Sequence, residues 1–505
     1  GTTAYTGDLM TGDLVNSVFV CEPIGHLVTR SVVTANGLRL KATRAREKSD
    51  FLASTDTWFR PSSLANGPDG ALYLADMYRL WVEHPKFLPP EIAAQLDWRA
   101  GDDRGRIYRI VPSNAAVRPF SPPDSVEDFV SLLSDSNGWR QYLGQRLLVE
   151  NEATQAAASL RKLLAAGNSP TTRLHALWTL DGLSRLQLAD VILACGDDQP
   201  EVRMAAVKLA GQWGGQEEGG GQEEVFEALA RRVDDADIRV RFQLALALAD
   251  ESSPRATQLL SELALRDGDD TWFANGLLTS ARTRSSSILN ALISHDRFLE
   301  QGNRGRIELV KSLAAIVGAR GDLDELSRLL DLLSRPTASG EWWRAAAISG
   351  LGQGLPRYRG KMGRMSLASL LSKPPSPLAG SIQPLRHWFD QNQAIALDAR
   401  RSVTDRAAAV ELLAYQQFDQ AAEAFEFLIS NDQPVEVQTA CITALAKNGS
   451  TAAAQIVLDR WSELGPAIRG AGLDLLLRRV ESTKLALAAM KAGKLQSSAL
   501  SIDQR

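Results

Sequence analysis

The chain has 505 residues, 44% of them hydrophobic and 23% charged, with 56 basic against 60 acidic side chains and a formal charge of -4. That length exceeds what one core supports and requires at least two structural units, of ordinary globular composition. The balanced charge argues against non-specific nucleic-acid binding, and no apolar run approaches the roughly 18 to 20 residues of a membrane-spanning helix.

Residues 1–112 read as β-rich. The chain opens on Gly1 with strand-like residues and without the charged and apolar regions of a signal peptide, as an internal piece of a longer protein would. Ser17–Cys21 and Leu27–Val33 are short apolar or β-branched runs, and Leu38–Thr43 alternates apolar with polar at period two. Ala65-Asn-Gly-Pro-Asp-Gly70 concentrates turn chemistry, followed by Ala71-Leu-Tyr-Leu-Ala-Asp76 and, after a long insertion with one Pro-started helix near Pro89–Leu96, by Gly105–Val111. This order predicts about two four-stranded blades of a β-propeller, too few to close a ring. Unclosed sheet edges would make residues 1–112 aggregation-prone in isolation.

Pro112, Pro119, Pro122 and Pro123 mark a linker over residues 113–123, and Asp124-Ser-Val-Glu-Asp128 starts a helix. Residues 124–365 and 386–490 then read as helical repeats. Asp198-Gln-Pro-Glu-Val-Arg203 returns as Asp235-Ala-Asp-Ile-Arg-Val-Arg241, 37 residues later, and again as Asp432-Gln-Pro-Val-Glu-Val437, with a degenerate copy from Ser402. A period near 40 residues is that of HEAT-type α-solenoids, in which neighbouring helix pairs bury a core none could bury alone. About eight or nine such repeats fit. The predicted class is therefore mainly α, a HEAT-like solenoid behind a partial β-propeller. Gly214–Glu224 reads as a solvated acidic loop, 366–385 as a Pro/Ser-rich interruption between two stacks, and 491–505 as a polar tail.

Cys21, Cys195 and Cys441 lie far apart, outside any CxxC or CxxCH unit, and the five histidines are dispersed. No phosphate-binding loop, nucleophile elbow, HExxH or dinucleotide fingerprint occurs.

Asn16–Arg30, Phe51–Pro61 and Gly67–Arg79, with Glu83-His-Pro85 and Arg99–Arg109, together resemble the end of the propeller in the membrane-bound dehydrogenase-like family of planctomycete-type bacteria. Those proteins are related to soluble glucose and sorbosone dehydrogenases. The resemblance covers residues 1 to about 112, and helical repeats follow in the family's usual order. It implies oxidation of a sugar or polyol by pyrroloquinoline quinone with Ca²⁺, electrons passing to a c-type haem in a C-terminal domain absent here, and a periplasmic or cell-envelope address. Arg79 and Arg104 are the implied contacts for quinone carboxylates, and His84 or Asp76 the acid-base group. Each has a plainer reading. Asp76 suits a turn hydrogen bond after its strand, Arg104 and Arg106 suit ion pairs with Asp102 and Asp103, and Glu22 with His26 suits a blade contact. Asp102, Asp103 and the GPDG turn offer oxygen ligands but too few to define a calcium site.

Two functions follow. One is a fragment of a quinone-dependent dehydrogenase with most of its active site elsewhere. The other is a non-catalytic interaction module whose helical surface docks a protein partner or a cytochrome domain.

Overall fold

The computed structural model describes residues 1–10, 14, 17–82, 84–113, 115–116, 119–212, 222–335, 341–360, 363 and 365–500. Asn16, Glu83 and most of the acidic Gly214–Glu224 loop therefore lie outside the described residues. Two compact units divide the chain, Gly1–Glu251 and Ser252–Arg505.

The first unit begins with two antiparallel sheets. Strands β1 (Thr2–Ala4), β2 (Ser17–Glu22), β3 (Leu27–Asn36) and β4 (Arg39–Arg44) are neighbours in that order, and β5 (Leu52–Ala53) also pairs with β3. Strands β6 (Pro61–Asn66), β7 (Leu72–Asp76) and β8 (Arg106–Ile110) form the second sheet. The register pairs Cys21 with Val28, so Phe19, Cys21 and Val28 share one face. That face packs with Leu64, Leu72 and Leu74 of the second sheet in a single core cluster. Two sheets are present as expected, but the strands divide five and three where four and four were expected. The reason is local. β1 and β5 are three and two residues long, too short to alternate, and β6 opens on Pro61 with a polar Ser62-Ser63 pair.

The insertion between β7 and β8 contains a short helix, α1 (Pro90–Ala93), as its prolines predict. Helices α2 (Val126–Leu132) and α3 (Gly138–Glu150) follow, and Ser125 caps α2 by accepting from Asp128 N. The start of α3 and its cap are bolted to the sheet region. Asn137 Nδ2 donates to Gly67 O at 3.0 Å, Arg140 Nε donates to Pro68 O at 2.7 Å, and Gly138 N donates to Thr6 O at 2.8 Å. The Pro-rich stretch 113–123 is thus no boundary between separate bodies. The GPDG turn that seemed only to connect strands is the docking point for the first repeat.

The array continues with α4 (Ala157–Ala166), α5 (Pro170–Gly182), α6 (Leu188–Cys195), α7 (Pro200–Gly211), α8 (Gln222–Ala230) and α9 (Ile238–Ala247). Helices α4, α6 and α8 pack in one layer, and α3, α5, α7 and α9 in another. The repeated motifs sit where their chemistry predicts. Pro200 occupies the first turn of α7, Asp237 caps α9, and each preceding Asp lies in the inter-helix loop.

The second unit holds α10 (Pro254–Asp267), α11 (Thr271–Ser280), α12 (Ser285–Ile293), α13 (Asp296–Leu299), α14 (Arg304–Arg320), α15 (Leu323–Ser334), α16 (Trp342–Gly354), α17 (Leu367–Ser372) and α18 (Ala379–Leu397). It ends with α19 (Val403–Leu413), α20 (Phe418–Leu428), α21 (Val435–Asn448), α22 (Thr451–Asp459), α23 (Pro466–Leu477) and α24 (Val480–Lys491). The expected interruption over 366–385 is corrected here. Leu367, Leu370 and Leu371 are buried on α17, and α18 runs through Pro384 while packing on both α15 and α19. Pro384 lies in the second turn of α18, where a missing N–H removes a single helical bond. The array is continuous across the prolines.

Helices α14 and α16 make the most intimate contact of this unit. A Cβ on Gly350 would collide with Lys311 O, and one on Gly354 with Ala315 O. Two glycines one turn apart therefore let the backbones touch.

Candidate functional site

The four residues implied by the dehydrogenase resemblance lie at the β7 end and in the insertion that follows. Asp76 is 2% exposed, and its Oδ1 accepts from Arg60 N at 2.7 Å and Tyr78 N at 2.8 Å, while Oδ2 has no partner. Arg79 Nη1 donates to Arg99 O at 3.1 Å. His84 Nδ1 accepts from Lys86 N at 3.2 Å, capping a short turn on the surface. Arg104 lies 3.5 Å from Asp103, with both side chains mostly exposed. The partner of Asp102 is Arg99, at 2.7 Å, and Arg106 instead stacks 3.7 Å over the Tyr78 ring. Glu22 and His26 are not partners: His26 Nδ1 faces Phe59 O at 3.0 Å, and the Glu22 carboxylate accepts from Ile24 N.

Arg60, which no motif singles out, organises this end of the sheets. It is 8% exposed and donates to Pro23 O, Arg79 O and Leu80 O at 2.7 to 3.0 Å. His26 at φ 57° and Tyr78 at φ 49° adopt left-handed conformations in the loops it ties. The cluster reads as a staple for two loops. Among the described residues no group of three or more His, Cys, Asp or Glu side chains is placed to hold a metal ion.

The helical layer α3–α5–α7–α9 offers a different kind of site, and one side chain explains its register. At the fourth residue of each of these helices stands Gln141, Arg173, Arg203 or Arg241, and each donates to carbonyls that end the preceding helix or its loop. The acceptors are Leu133 O, Gly167 O, the Asp197 and Asp198 carbonyls, and Asp235 O. A helix end leaves such carbonyls unpaired, and a cation there also meets the negative end of the dipole. The second unit uses the same device: Arg406 donates to Ala396 O, Gln438 to Gln433 O and Arg469 to Trp461 O.

Carboxylates lock the anchors sideways. Arg173 grips Asp197 through two bonds of 2.7 and 2.8 Å, and Arg203 grips Asp235 through two of 2.7 Å. Burial alone would raise the Asp235 carboxyl, but the Arg203 fork and the Asp237 N–H outweigh it and hold the group below the usual range. Asp197 is held down in the same way, against its burial, by Arg173 and the Gln199 N–H. The paired Asp and Arg of the sequence repeat are therefore joints of the scaffold.

With the anchors fixed, the outward positions follow by counting. The residue after each anchor is Tyr142, Leu174, Met204 or Phe242, exposed or half-buried in every case. The residue five after each anchor is Arg146, Trp178, Lys208 or Leu246, on the same outward side one turn on. Lys208 Nζ lies 5.4 Å over the Trp178 ring, and Tyr142 packs edge-on against His175 at 4.9 Å. At the α3 end, a cleft of about 490 Å³ is lined by Trp139, Tyr142, Leu143 and Arg146, with Thr6 and Asn66 opposite. None of the four dehydrogenase candidates lines it. The residues of this surface were missed in the sequence, although Arg203 and Arg241 in the first two repeat copies supplied the reference point for finding them.

Comparison with known proteins fits this architecture. Residues 1–114 match the family model described as a domain of unknown function, DUF7133, and residues 186–274 match HEAT repeats. No curated protein matches the sequence. Among solved structures, Kap121p aligns at 12% identity with a TM-score of 0.37, covering 72% of this chain and 45% of that chain. Kap121p bound to Ste12p aligns at 11% with a TM-score of 0.40, covering 73% and 47%. The Pds5–Scc1 complex structure aligns at 13% with a TM-score of 0.26, covering 68% and 63%. The chain spans less than two thirds of each of these proteins. The fold is mainly α, built of HEAT-type repeats behind two small antiparallel sheets. No described helix is long and apolar enough to cross a membrane.

Proposed function

We propose that this chain works as a HEAT-repeat scaffold that binds a protein partner, without chemistry of its own. The observation that carries the reading is the outward face of α3, α5, α7 and α9. Its anchors are committed to internal bonds, whereas the neighbouring rows bring large apolar, aromatic and cationic side chains to the surface, exposed or half-buried. Interfaces are built from such residues. Cross-linking of the full chain in an extract of its source, followed by mass spectrometry, tests the reading. A reproducible protein cross-linked to either helical array is expected, and recovery of the chain alone at native abundance would count against it.

The finer reading makes the chain part of a quinone-dependent sugar or polyol dehydrogenase with an envelope address, and it rests on the resemblance of residues 16–109. The residues present do not fit the quinone. Arg79 is bonded to a backbone carbonyl, Arg104 stands beside Asp103, and Arg60 spends its guanidinium on three carbonyls, so none of these three offers a free fork for a quinone carboxylate. No catalytic step is assigned through it. Sugar-dependent dye reduction by the chain with quinone and Ca²⁺ would revive this reading.

A further inference from the structure

We infer that a cleft at the N-terminus of α20 binds a free neutral α-amino acid as its zwitterion, the carboxylate at the start of α20 and Arg386, the ammonium at Asp390. The site lies in the second unit and goes beyond the scaffold reading.

The cleft holds about 370 Å³ and is formed by the end of α17, by α18 and by the turn from α19 into α20. That is the size of a small-ligand site. Gln416 in its wall is 3% exposed, yet its carboxamide makes no hydrogen bond, and Oε1 is enclosed without a partner. Burying an amide unpaired is unfavourable, and native interiors leave few such groups. Here the unpaired amide sits beside an open space that a polar ligand fills.

Two neighbours give that space a positive side. Gln417 occupies the N-cap of α20, but its side chain makes no capping bond. The first N–H groups of this 11-residue helix are therefore left for an anion, which the helix dipole also favours. Gln416, Gln417 and Gln420, all at this helix start, line the cleft. Arg386 lines it from α18 and donates to Leu371 O through Nε, at 2.7 Å, and through Nη2, which also reaches Ser372 O at 3.5 Å. Its Nη1 stays without a bond.

Asp390 supplies the negative side. It stands one turn beyond Arg386 on α18, a spacing at which opposite charges ordinarily pair. Leu371 O holds the guanidinium instead, and Asp390 lines the same cleft without an ion pair or hydrogen bond among the described residues. Asp419, the other carboxylate at the start of α20, does not line it. A lone anion would meet Asp390, and a lone cation would meet Arg386 and the helix end. A ligand with both charges suits both sides. In an α-amino acid the ammonium nitrogen and the carboxylate carbon share one Cα and stand about 2.5 Å apart. Side chains four apart on a helix start about 5 to 6 Å from each other, so a ligand that small reaches both. Arg386 and Asp390 cancel in charge, which favours a ligand with no net charge. Leu371 and Phe389 give the cleft an apolar floor for the ligand's Cα.

Isothermal titration calorimetry of the full chain against each neutral protein L-amino acid tests this. One or more should bind with a stoichiometry of one. The amide of that amino acid, which lacks the carboxylate, and its N-acetyl form, which lacks the ammonium, should each bind at least about tenfold more weakly. Asp390→Asn should weaken the amino acid by at least about tenfold with an unchanged melting midpoint, because the side chain has no partner to lose. Gln416→Leu should also weaken it, with a midpoint equal or higher, because an apolar group replaces an unpaired amide. Equal binding of the amide or the N-acetyl form overturns the zwitterion, and equally tight binding of inorganic phosphate reduces the site to an anion site. A lower midpoint for Gln416→Leu makes the amide a structural group, and binding unchanged in both variants places the ligand elsewhere. No binding of any amino acid at millimolar concentration overturns the proposal. A chain that binds none can still cross-link a protein partner, so this site and the scaffold reading fail separately.

Discussion

Asp235→Ala removes the acid from the tightest joint of the first array. The Asp235 side chain is 2% exposed and that of Arg203 is 11% exposed, with a two-pronged contact at 2.7 Å and a further bond donated by Asp237 N to Asp235 Oδ1. Breaking a buried pair on one side costs about 3 to 5 kcal/mol, because the remaining charge is stranded. Arg203 keeps its bonds to the carbonyls of Asp197 and Asp198, so the lower end, about 3 kcal/mol, applies. For a unit near 250 residues each kcal/mol moves the midpoint by about 2 to 4 °C, giving a drop of roughly 6 to 12 °C. Calorimetry should resolve it as a shift of one transition, with the second unit unmoved. The pH dependence carries the sign. The folded carboxyl sits below its unfolded value, so its contribution is complete above the unfolded value of about 3.9 and disappears as pH falls through the folded one. Wild type and variant should therefore differ most near pH 7 and converge in acid. A shift under 2 °C, or effects of D235A and R203M that simply add in the double variant, would refute the joint.

Gly350→Ala and Gly354→Ala should each destabilise the second unit by about 1 to 3 kcal/mol, since the added methyl meets a main-chain carbonyl of α14; calorimetry of single and double variants checks this. Asn137→Ala should lower stability by about 1 to 3 kcal/mol and loosen the sheets from α3, because it leaves Gly67 O and Trp139 N without their bonds; hydrogen exchange at 66–71 reads the loosening. Burial pushes the Cys195 thiol up to about 11 and the Cys441 thiol still higher, so a thiol reagent at pH 8 should leave both unmodified in the native chain and find three thiols after denaturation. Burial also holds His175 below its ordinary value, so its neutral form favours folding above pH 6.5 and protonation erodes stability below it; His175→Gln should flatten the melting temperature between pH 7 and 5.

How far the sequence could be read depended on which residues advertise their partners locally. The Asp-Gln-Pro-Glu-Val-Arg copies fold as their chemistry dictates because a proline, a cap and an apolar stripe all act within one turn. Pro384 misled for the opposite reason. Its local penalty is real, but packing of α18 on α15 and α19 overrides it, through Ile382, Leu385 and Phe389 buried along the same helix. The sheets lost strands for local reasons: β1 has only three residues and takes its order from β2, and β6 hides its pairing with β7 behind Pro61 and a polar Ser62-Ser63 pair. Asp76 was legible as a turn acceptor, whereas Arg60, bonded to carbonyls near residues 23 and 80, was not.

The anchors explain why the proposed docking surface is harder to see than the scaffold. A repeat must reproduce its joints, so Arg173, Arg203 and Arg241 return with their loop acids and announce the array. A binding face must differ from repeat to repeat to recognise one partner, so its residues have no period to betray them. Tyr142, Leu174, Met204 and Phe242 share only size and apolarity, and the row beside them alternates cationic with apolar. Measured from the anchors, that variation becomes ordered. It separates what holds the helices together from what the helices hold out, and Leu174→Asp acts on the second alone: if that change unfolded the array, these rows would belong to the core and the face would be no binding surface.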